Sequence, residues 1–446
     1  MNKTLNTLLE QGTASGFSTV EAFGEIIEKH EFEYCASEPL SIHTIDSQRV
    51  IARAFWDKGD PVGFSLSKPD ADAVKAAFTH IYTTQMPDEK KNFSRLLPAD
   101  ARKATMTIFD HSFPAVNPQA FTDLLERIHE IMVSSPFQGL KLTRIYLAKT
   151  LKKVYIANSN GLNMKYRKTN FNLILGFLLR GNTMDISENR VFFQQFEPFK
   201  IISRGYNLLD SLVEGGVSAG RHLPLVLSPE ASAFILREFS PYFKLNSPNG
   251  TNGSNGFNSR EIRNIQYPGI LNIVDDPSLD GQVGSVPFDD EGVQSGEKYV
   301  IQKGGFTGTI SDLATAFQHQ SASTGNGFRN ERFAFPAVGF SNLYIKPTVL
   351  PLKNLMADAG EGVLVSLLKL KSYDTNGCYF SAYGYRFKGD DLLDPVHFYI
   401  KTSFRSYFLK IVKVSKETRF FYSSANIGSP YILVEARNKA NNLFEI

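Results

Sequence analysis

An α+β fold of two domains, with antiparallel-rich sheets and packed helices, is what this sequence predicts, and three observations carry the expectation. At 446 residues the chain is too long for one small core, since domains run to roughly 150 residues. Its first half alternates segments of helical period with segments of strand period. From about residue 221 it turns to short strands punctuated by glycines and turn pairs. The boundary is expected near residue 205, giving an N-terminal α+β domain over 1–205 and a β-rich C-terminal domain over 206–446.

The elements follow in order. In "PQAFTDLLERIHEIMVSSPF" the apolar residues Phe121, Leu124, Leu125, Ile128, Ile131 and Met132 recur at helical spacing, which predicts a surface helix packed on one face and stopped at Pro136. The next forty residues predict three or four strands. Leu162, Met164 and Tyr166 alternate there with Asn163, Lys165 and Arg167, and "NSNG" supplies residues that tolerate a hairpin turn. A helix over about 199–213 then leads into the glycine-rich "EGGVSAGR". Two more helices are expected near 311–319 and 351–359. The polar "NSPNGTNGSNGFNS" has no apolar surface to bury and reads as a flexible insertion.

Between these stands "LVLSPEASAFILREFSPYF", a strand running into a helix. Ser228 suits the N-cap and Pro229 the first helical position. Ile235, Leu236, Phe239 and Ser232 form a buried stripe, Arg237 projects from the opposite face, and Glu238 lies at the edge. Pro241 disfavours helical geometry at Ser240, so the helix is expected to end there with Tyr242 outside it.

Composition narrows the function. Forty-two percent hydrophobic and 21 percent charged residues are the proportions of a folded soluble protein. The formal charge of +3, from 48 basic and 45 acidic residues, includes no block of like charge able to track a phosphate backbone, so nucleic acid is not indicated as a partner. No signal-peptide run and no stretch of roughly 20 apolar residues is present, so no membrane association and a cytoplasmic location are expected. Cys35 and Cys378 form neither a paired framework nor a CxxC motif and read as buried free thiols.

Candidate chemistry is sparse. Gly216 to Gly220 spell GxSxG around Ser218, but a nucleophile elbow needs a strand before it and a helix after it, and here the order is reversed. The acidic run of Asp275, Asp276, Asp280, Asp289, Asp290 and Glu291 lacks the spacing of a calcium loop. Its Asp-Pro and Asp-Gly pairs favour solvated turn residues, with Lys298, Lys303 and Arg329 as counter-charges. No two of the eight histidines lie within ten residues of each other, which leaves no helix-borne pair of zinc ligands.

A set of ordered landmarks resembles the TldD/PmbA family, once named as modulators of DNA gyrase and associated with peptide maturation and degradation. They are "NIVDDPSLDGQVGSVPFDDEGV", "YVIQKGGFTGTISDLATA", "TGNGFRN", "FSNLYIKP", "CYFSAYGYRFKGDDLLDPV" and "IGSPYILVEA". "VEAFGEIIEKHEFEYCASEP" and "VYIANSNGL" extend the resemblance more loosely into the N-terminal half. In the TldD branch the corresponding helix carries HExxxH, with a further cysteine ligand near the C-terminus. The resemblance places the first histidine at Arg237, the glutamate at Glu238 and the second histidine at Tyr242, and "RFFYSSAN" stands where the cysteine is expected.

Arginine stays protonated and has no lone pair for zinc. Positions 237 and 242 also point about 140° apart on a regular helix. The resemblance therefore implies the PmbA/TldE-like branch: no zinc, no other cofactor, and a chain inactive on its own. The implied partners are a TldD-like metallopeptidase subunit or a second copy of the chain in a homodimer, with unfolded peptide as the substrate class. Two alternatives stand beside it, an interaction protein that modulates gyrase and a peptidase using other residues.

Overall fold

The computed structural model describes residues 1–35, 38–66, 70–84, 94–99, 106–134, 137–212, 223–245, 263–330, 335–374, 377–423 and 425–435. Ser218, Pro136 and the polar insertion after residue 245 lie outside them.

The N-terminal half is built on one antiparallel sheet. Its strands are β1 (Thr19–Cys35), β2 (Glu38–Phe55), β3 (Val62–Leu66), β4 (Lys141–Asn158), β5 (Asn163–Leu179) and β6 (Asn182–Arg190), in the order β3-β2-β1-β4-β5-β6. The β4–β5 hairpin turns on the expected "NSNG", where Gly161 takes a φ of 109° and Asn158 Oδ1 accepts from the N–H groups of Asn160 and Leu162. Such a φ is open to glycine at no steric cost.

Four helices cover one face of the sheet: α1 (Asn2–Ala14), α2 (Ala71–Thr84), α3 (Pro118–Ser134) and α4 (Pro198–Asp210). The α3 stripe of Phe121, Leu124 and Ile128 packs with Leu147, Leu173 and Leu175 of the sheet and Ile201 and Ile202 of α4. Position 205, expected as the boundary, falls inside α4, whose apolar face belongs to this core.

Because strand side chains alternate, the residues between these core positions point to the other face of the sheet. That face carries Glu21, Glu25, Arg53 and Lys152 among Phe23, Ile51 and Val154, and the C-terminal half packs against it.

The C-terminal half holds two six-stranded sheets. One has the order β16-β15-β14-β7-β20-β17, from β7 (Leu225–Leu227), β14 (Glu361–Asp374), β15 (Gly377–Lys388), β16 (Asp391–Thr402), β17 (Ile411–Val414) and β20 (Ile432–Val434). The other has the order β10-β9-β8-β13-β19-β18, from β8 (Ile273–Asp275), β9 (Lys298–Gln302), β10 (Gly305–Phe306), β13 (Asn342–Ile345), β18 (Arg419–Tyr422) and β19 (Asn426–Ser429). A two-stranded pair, β11 (Gly327–Phe328) and β12 (Ala337–Val338), stands apart. Most pairs are antiparallel; β14 with β7 and β13 with β19 run parallel.

Short strands hold for most of this half, but β14 to β16 form a long meander. The glycines that suggested interruption sit inside it. A Cβ on Gly384 would stand 1.9 Å from the Leu364 carbonyl oxygen, next to a register shift between Val365 and Leu367. Glycine there permits a bulge and a close approach of two backbones, and does not end the strand.

Between the two sheets runs α5 (Pro229–Phe239), touching β14 of one and β18 and β19 of the other. The remaining helices are α6 (Leu313–Gln318), α7 (Leu352–Ala359) and α8 (Phe404–Leu409). Both sheets, α5 and α8 share one core of Leu225, Leu236, Phe239, Leu343, Val363 and Phe408 among others. No helix of the described residues is long and apolar enough to cross a membrane.

Candidate functional site

The helix singled out in the sequence begins as its residues dictate. Ser228 Oγ accepts from the Ala231 N–H at 3.2 Å and donates to the Ser366 carbonyl at 2.9 Å, so the N-cap also ties α5 to β14. Pro229 opens the first turn, where its missing N–H costs nothing. The buried stripe is Ala231, Ser232, Ile235, Leu236 and Phe239. Ser232, fully buried, lies 2.9 Å from the Tyr407 hydroxyl and accepts from Ser429 Oγ at 2.7 Å. The α-helix stops at Phe239 and Ser240–Phe243 form a 3-10 turn, as Pro241 requires.

Arg237, Glu238 and Tyr242 do not converge. Arg237 lies on the outer side, its guanidinium 4.4 Å from the Phe234 ring centroid and its Nε and Nη2 donating to Glu238 Oε1 at 3.1 and 3.0 Å. The other oxygen, Glu238 Oε2, accepts from the Tyr373 hydroxyl of β14. Burial first, then this carboxylate, pushes the Tyr373 pKa up. Tyr242 points inward, only 8% exposed, with its ring 4.6 Å from that of Phe404.

A zinc ion needs lone pairs of imidazole, thiolate or carboxylate aimed at one point. Here one position is a guanidinium, one is packed among aromatic rings, and both carboxylate oxygens of the third already accept hydrogen bonds. Among the described residues no three of His, Cys, Asp and Glu gather into a metal-holding group. The donor set does not fit zinc.

Around this helix the surface is hollowed. A cavity of about 210 Å³ lies against α5 and β18, lined by Ala233, Phe234, Arg237, Leu368, Phe421 and Ser423 among others. It brings Arg237 together with Phe421, Tyr422 and Ser423 of the "RFFYSSAN" segment. Through Glu230 it shares a wall with a larger cavity of about 390 Å³ between α4 and β14, which also holds Arg204, Asp210, Tyr385 and Arg419. Through Tyr422 it shares a wall with a third, of about 190 Å³, between the N-terminal sheet and the C-terminal half. The edge strand β18 lines the first cavity through Phe421 and Tyr422, meets the second at Arg419 and reaches the third through Tyr422; among the described residues it pairs with β19 alone.

The acidic run corrects the sequence reading. Asp280 is exposed and accepts from the Thr107 N–H at 2.9 Å, as a turn residue does. Asp275, Asp276, Asp289, Asp290 and Glu291 are all buried, not solvated, because each organises backbone or side-chain donors. Asp275 accepts from the Ser341 N–H at 2.8 Å and Asn326 Nδ2 at 2.7 Å. Asp289 accepts from the N–H groups of Glu291, Val293 and Gly327 at 2.8–3.0 Å. Lys298 lies 3.4 Å from Asp275, and Arg329 donates to the Asp290 carbonyl at 3.0 Å.

Glu291 takes part in a cluster that the sequence reading missed. Arg53, 1% exposed, donates to Glu291 Oε1 at 2.8 Å and to Glu21 Oε2 at 2.7 Å, and Arg329 reaches Glu21 Oε1. Burial opposes the charge on Arg53, but the two carboxylates outweigh it and hold its pKa above the ordinary value. The signal was cross-strand: Glu21 faces Arg53 and Glu25 faces Arg49 in the β1–β2 register, a pattern visible only once the pairing is known. Cys378 is buried as expected, whereas Cys35 is half-buried.

Comparisons with known proteins agree with this architecture. Residues 220–440 match the family model described as the PmbA/TldA metallopeptidase C-terminal domain. This C-terminal half belongs to the TldD/PmbA family, and the matched domain carries α5 and both C-terminal sheets. Over 97% of its length, and 98% of the relative's, its fold is similar to that of TldE from Thermococcus kodakarensis, with a TM-score of 0.83 and 19% identity. A metalloprotease of Methanocaldococcus jannaschii is 33% identical over 95 residues, 21% of each chain. A metalloprotease of Archaeoglobus fulgidus is 29% identical over 155 residues, 34% of this chain and 35% of that protein. The matches to these two relatives thus span about a fifth and a third of their lengths.

Proposed function

We propose that the chain is a non-catalytic, PmbA/TldE-like member of a TldD-type zinc metallopeptidase system. It holds unfolded peptide while a TldD-like subunit supplies the metal. In this reading Arg237, Glu238 and Tyr242 occupy the positions of a lost zinc site. The observation that carries it is the state of Glu238, whose two carboxylate oxygens are engaged by Arg237 and Tyr373. A general base must present a lone pair to the proton it removes, and both oxygens of this carboxylate are already held in hydrogen bonds to Arg237 and Tyr373. The cavities along α5 and the edge of β18, which pairs with β19 alone among the described residues, support peptide binding by strand addition, in which main-chain hydrogen bonds give affinity for many sequences.

The test is a peptide-library digest with three samples: the purified chain, a TldD-like metallopeptidase, and the two mixed. The expected result is no cleavage by the chain alone and altered cleavage in the mixture. Cleavage by the chain alone, with stoichiometric zinc and abolished in Glu238→Gln, would overturn the reading.

A hydrolase using other residues has one observation in its favour, Ser381 Oγ placed 2.6 Å from His397 Nε2. Ser381 is fully buried in mid-strand, however, and the Tyr383 ring stacks on His397 at 4.4 Å. The pair lines none of the three cavities. Ser381→Ala is expected to leave any peptide turnover unchanged; loss of turnover would favour this second reading.

A further inference from the structure

The third cavity, of about 190 Å³, is lined by Lys152 of β4, Tyr166 and Lys168 of β5, Asp290, and Tyr422 at the end of β18, among others. Its cations differ in what they have been given. Lys152 reaches the Glu25 carboxylate, and Arg329 reaches Glu21 and the Asp290 carbonyl. Among the described residues Lys168 makes one hydrogen bond, to the Val283 carbonyl at 3.1 Å. An ammonium has three donors, so two remain for whatever enters. The Tyr166 ring rests edge-to-face on Phe288 at 5.1 Å, and its hydroxyl makes no hydrogen bond within the described residues. Among the described residues Asp290 is the one carboxylate in the wall; its Oδ2 accepts from the Arg329 N–H at 2.7 Å, and burial pushes its pKa up.

A cation short of acceptors beside an uncommitted hydroxyl, in a small chamber walled by Val283, Val286 and Phe340, suits a singly charged acid with a hydrocarbon body. A dianion such as phosphate would meet Asp290 at close quarters without a second uncommitted cation among the described residues. We propose that this cavity is a carboxylate-binding pocket, with Lys168 as the binding cation and the Tyr166 hydroxyl as the second donor. Resting on the peptide-holding reading above, its occupant is the C-terminal carboxylate of a peptide paired along β18, since Tyr422 belongs to both this cavity and the one beside α5.

The test is calorimetric titration of the full chain with an apolar hexapeptide as free acid and as C-terminal amide, and with acetate and phosphate, using wild type and Lys168→Met. Circular dichroism confirms that the variant is folded, and repeating the wild-type titrations above pH 9 removes the Lys168 charge without a substitution. The expected result is an acid at least roughly tenfold tighter than the amide, the worth of one charge-assisted hydrogen bond, with that advantage gone in Lys168→Met and at high pH. Acid and amide binding equally would overturn the carboxylate pocket and leave peptide holding intact. Acetate binding that requires Lys168, with no peptide bound, would support the pocket and overturn peptide holding. Phosphate binding more tightly than either acid would overturn the assignment to carboxylates, and no binding of any probe would overturn both readings.

Discussion

Keeping Lys168 protonated in the folded chain costs free energy. Burial disfavours its charge, the Lys152 ammonium adds to this, and its pKa is pushed down to about 8 from 10.5. Between those values the unfolded chain binds more protons than the folded one, so this residue makes stability rise with pH across that window. Below about pH 8 the penalty is fully present. Lys168→Met is expected to stabilise the protein at pH 7 by about 1–3 kcal/mol and to flatten the rise between pH 8 and 10, as read from urea unfolding at both ends. A binding group that destabilises its own fold is a familiar feature of functional sites. Tyr242 has the opposite character, since its ring packs on Phe239 and Phe404. Writing histidines into the chain as Arg237→His with Tyr242→His should not create a zinc site. Metal analysis of the dialysed double variant is expected to find no stoichiometric zinc, and Tyr242→His alone should cost about 2–4 kcal/mol by removing a packed aromatic ring.

Strands β1 and β2 meet the C-terminal half through charge as well as apolar contact. Arg53 stands between Glu21 and Glu291, so Arg53→Met leaves two buried carboxylates without their common partner. Removing one member of such a group typically costs about 3–5 kcal/mol, and a fall in melting temperature of Arg53→Met is the measurement. Replacing all three by apolar residues of similar volume is expected to recover only part of the loss, because the buried Arg329 then loses its Glu21 partner. At this scale the sequence was legible where one element settled its own structure. The α3 stripe, the "NSNG" turn, the Ser228 cap and the break at Pro241 all depend on neighbours within a few positions. Glu21 and Arg53 were illegible because alternation along a strand reports two faces but not which partner covers the polar one. Helices take one face of the N-terminal sheet and the C-terminal half takes the other, so residues patterned like a solvated face are buried. The acidic run was misread for the same reason: Asp-Pro and Asp-Gly do make turns, but these turns lie between two halves of the molecule.

Across the whole molecule, the sheet order decides where α5 can sit. Strand β7, which delivers it, has β14 on one side and β20 on the other, partners that come more than 130 and 200 residues later in the chain. A chain ending at residue 430 would lack β20, leaving one side of β7 unpaired and Val226 without the Leu433 contact of its cluster. Amide hydrogen exchange is expected to show α5 and β7 losing protection in that truncation while β1, β4 and β5 keep theirs. The ordered landmarks of the family lie mostly in this half, which is why the fold could be recognised there from short strings that are individually weak.

The position of β7 also orders events in time. Pairing across such sequence separations is slow, because a long loop must close before any contact is made. On the ribosome the N-terminal sheet can complete itself while β20 is still unsynthesised, so its Glu21 and Arg53 wait for the acidic turns that will cover them. The helix with Arg237 and Glu238 is then among the last parts of the protein to take its final place. A nascent chain would thus be able to present a finished N-terminal half well before the cavities beside α5 are formed.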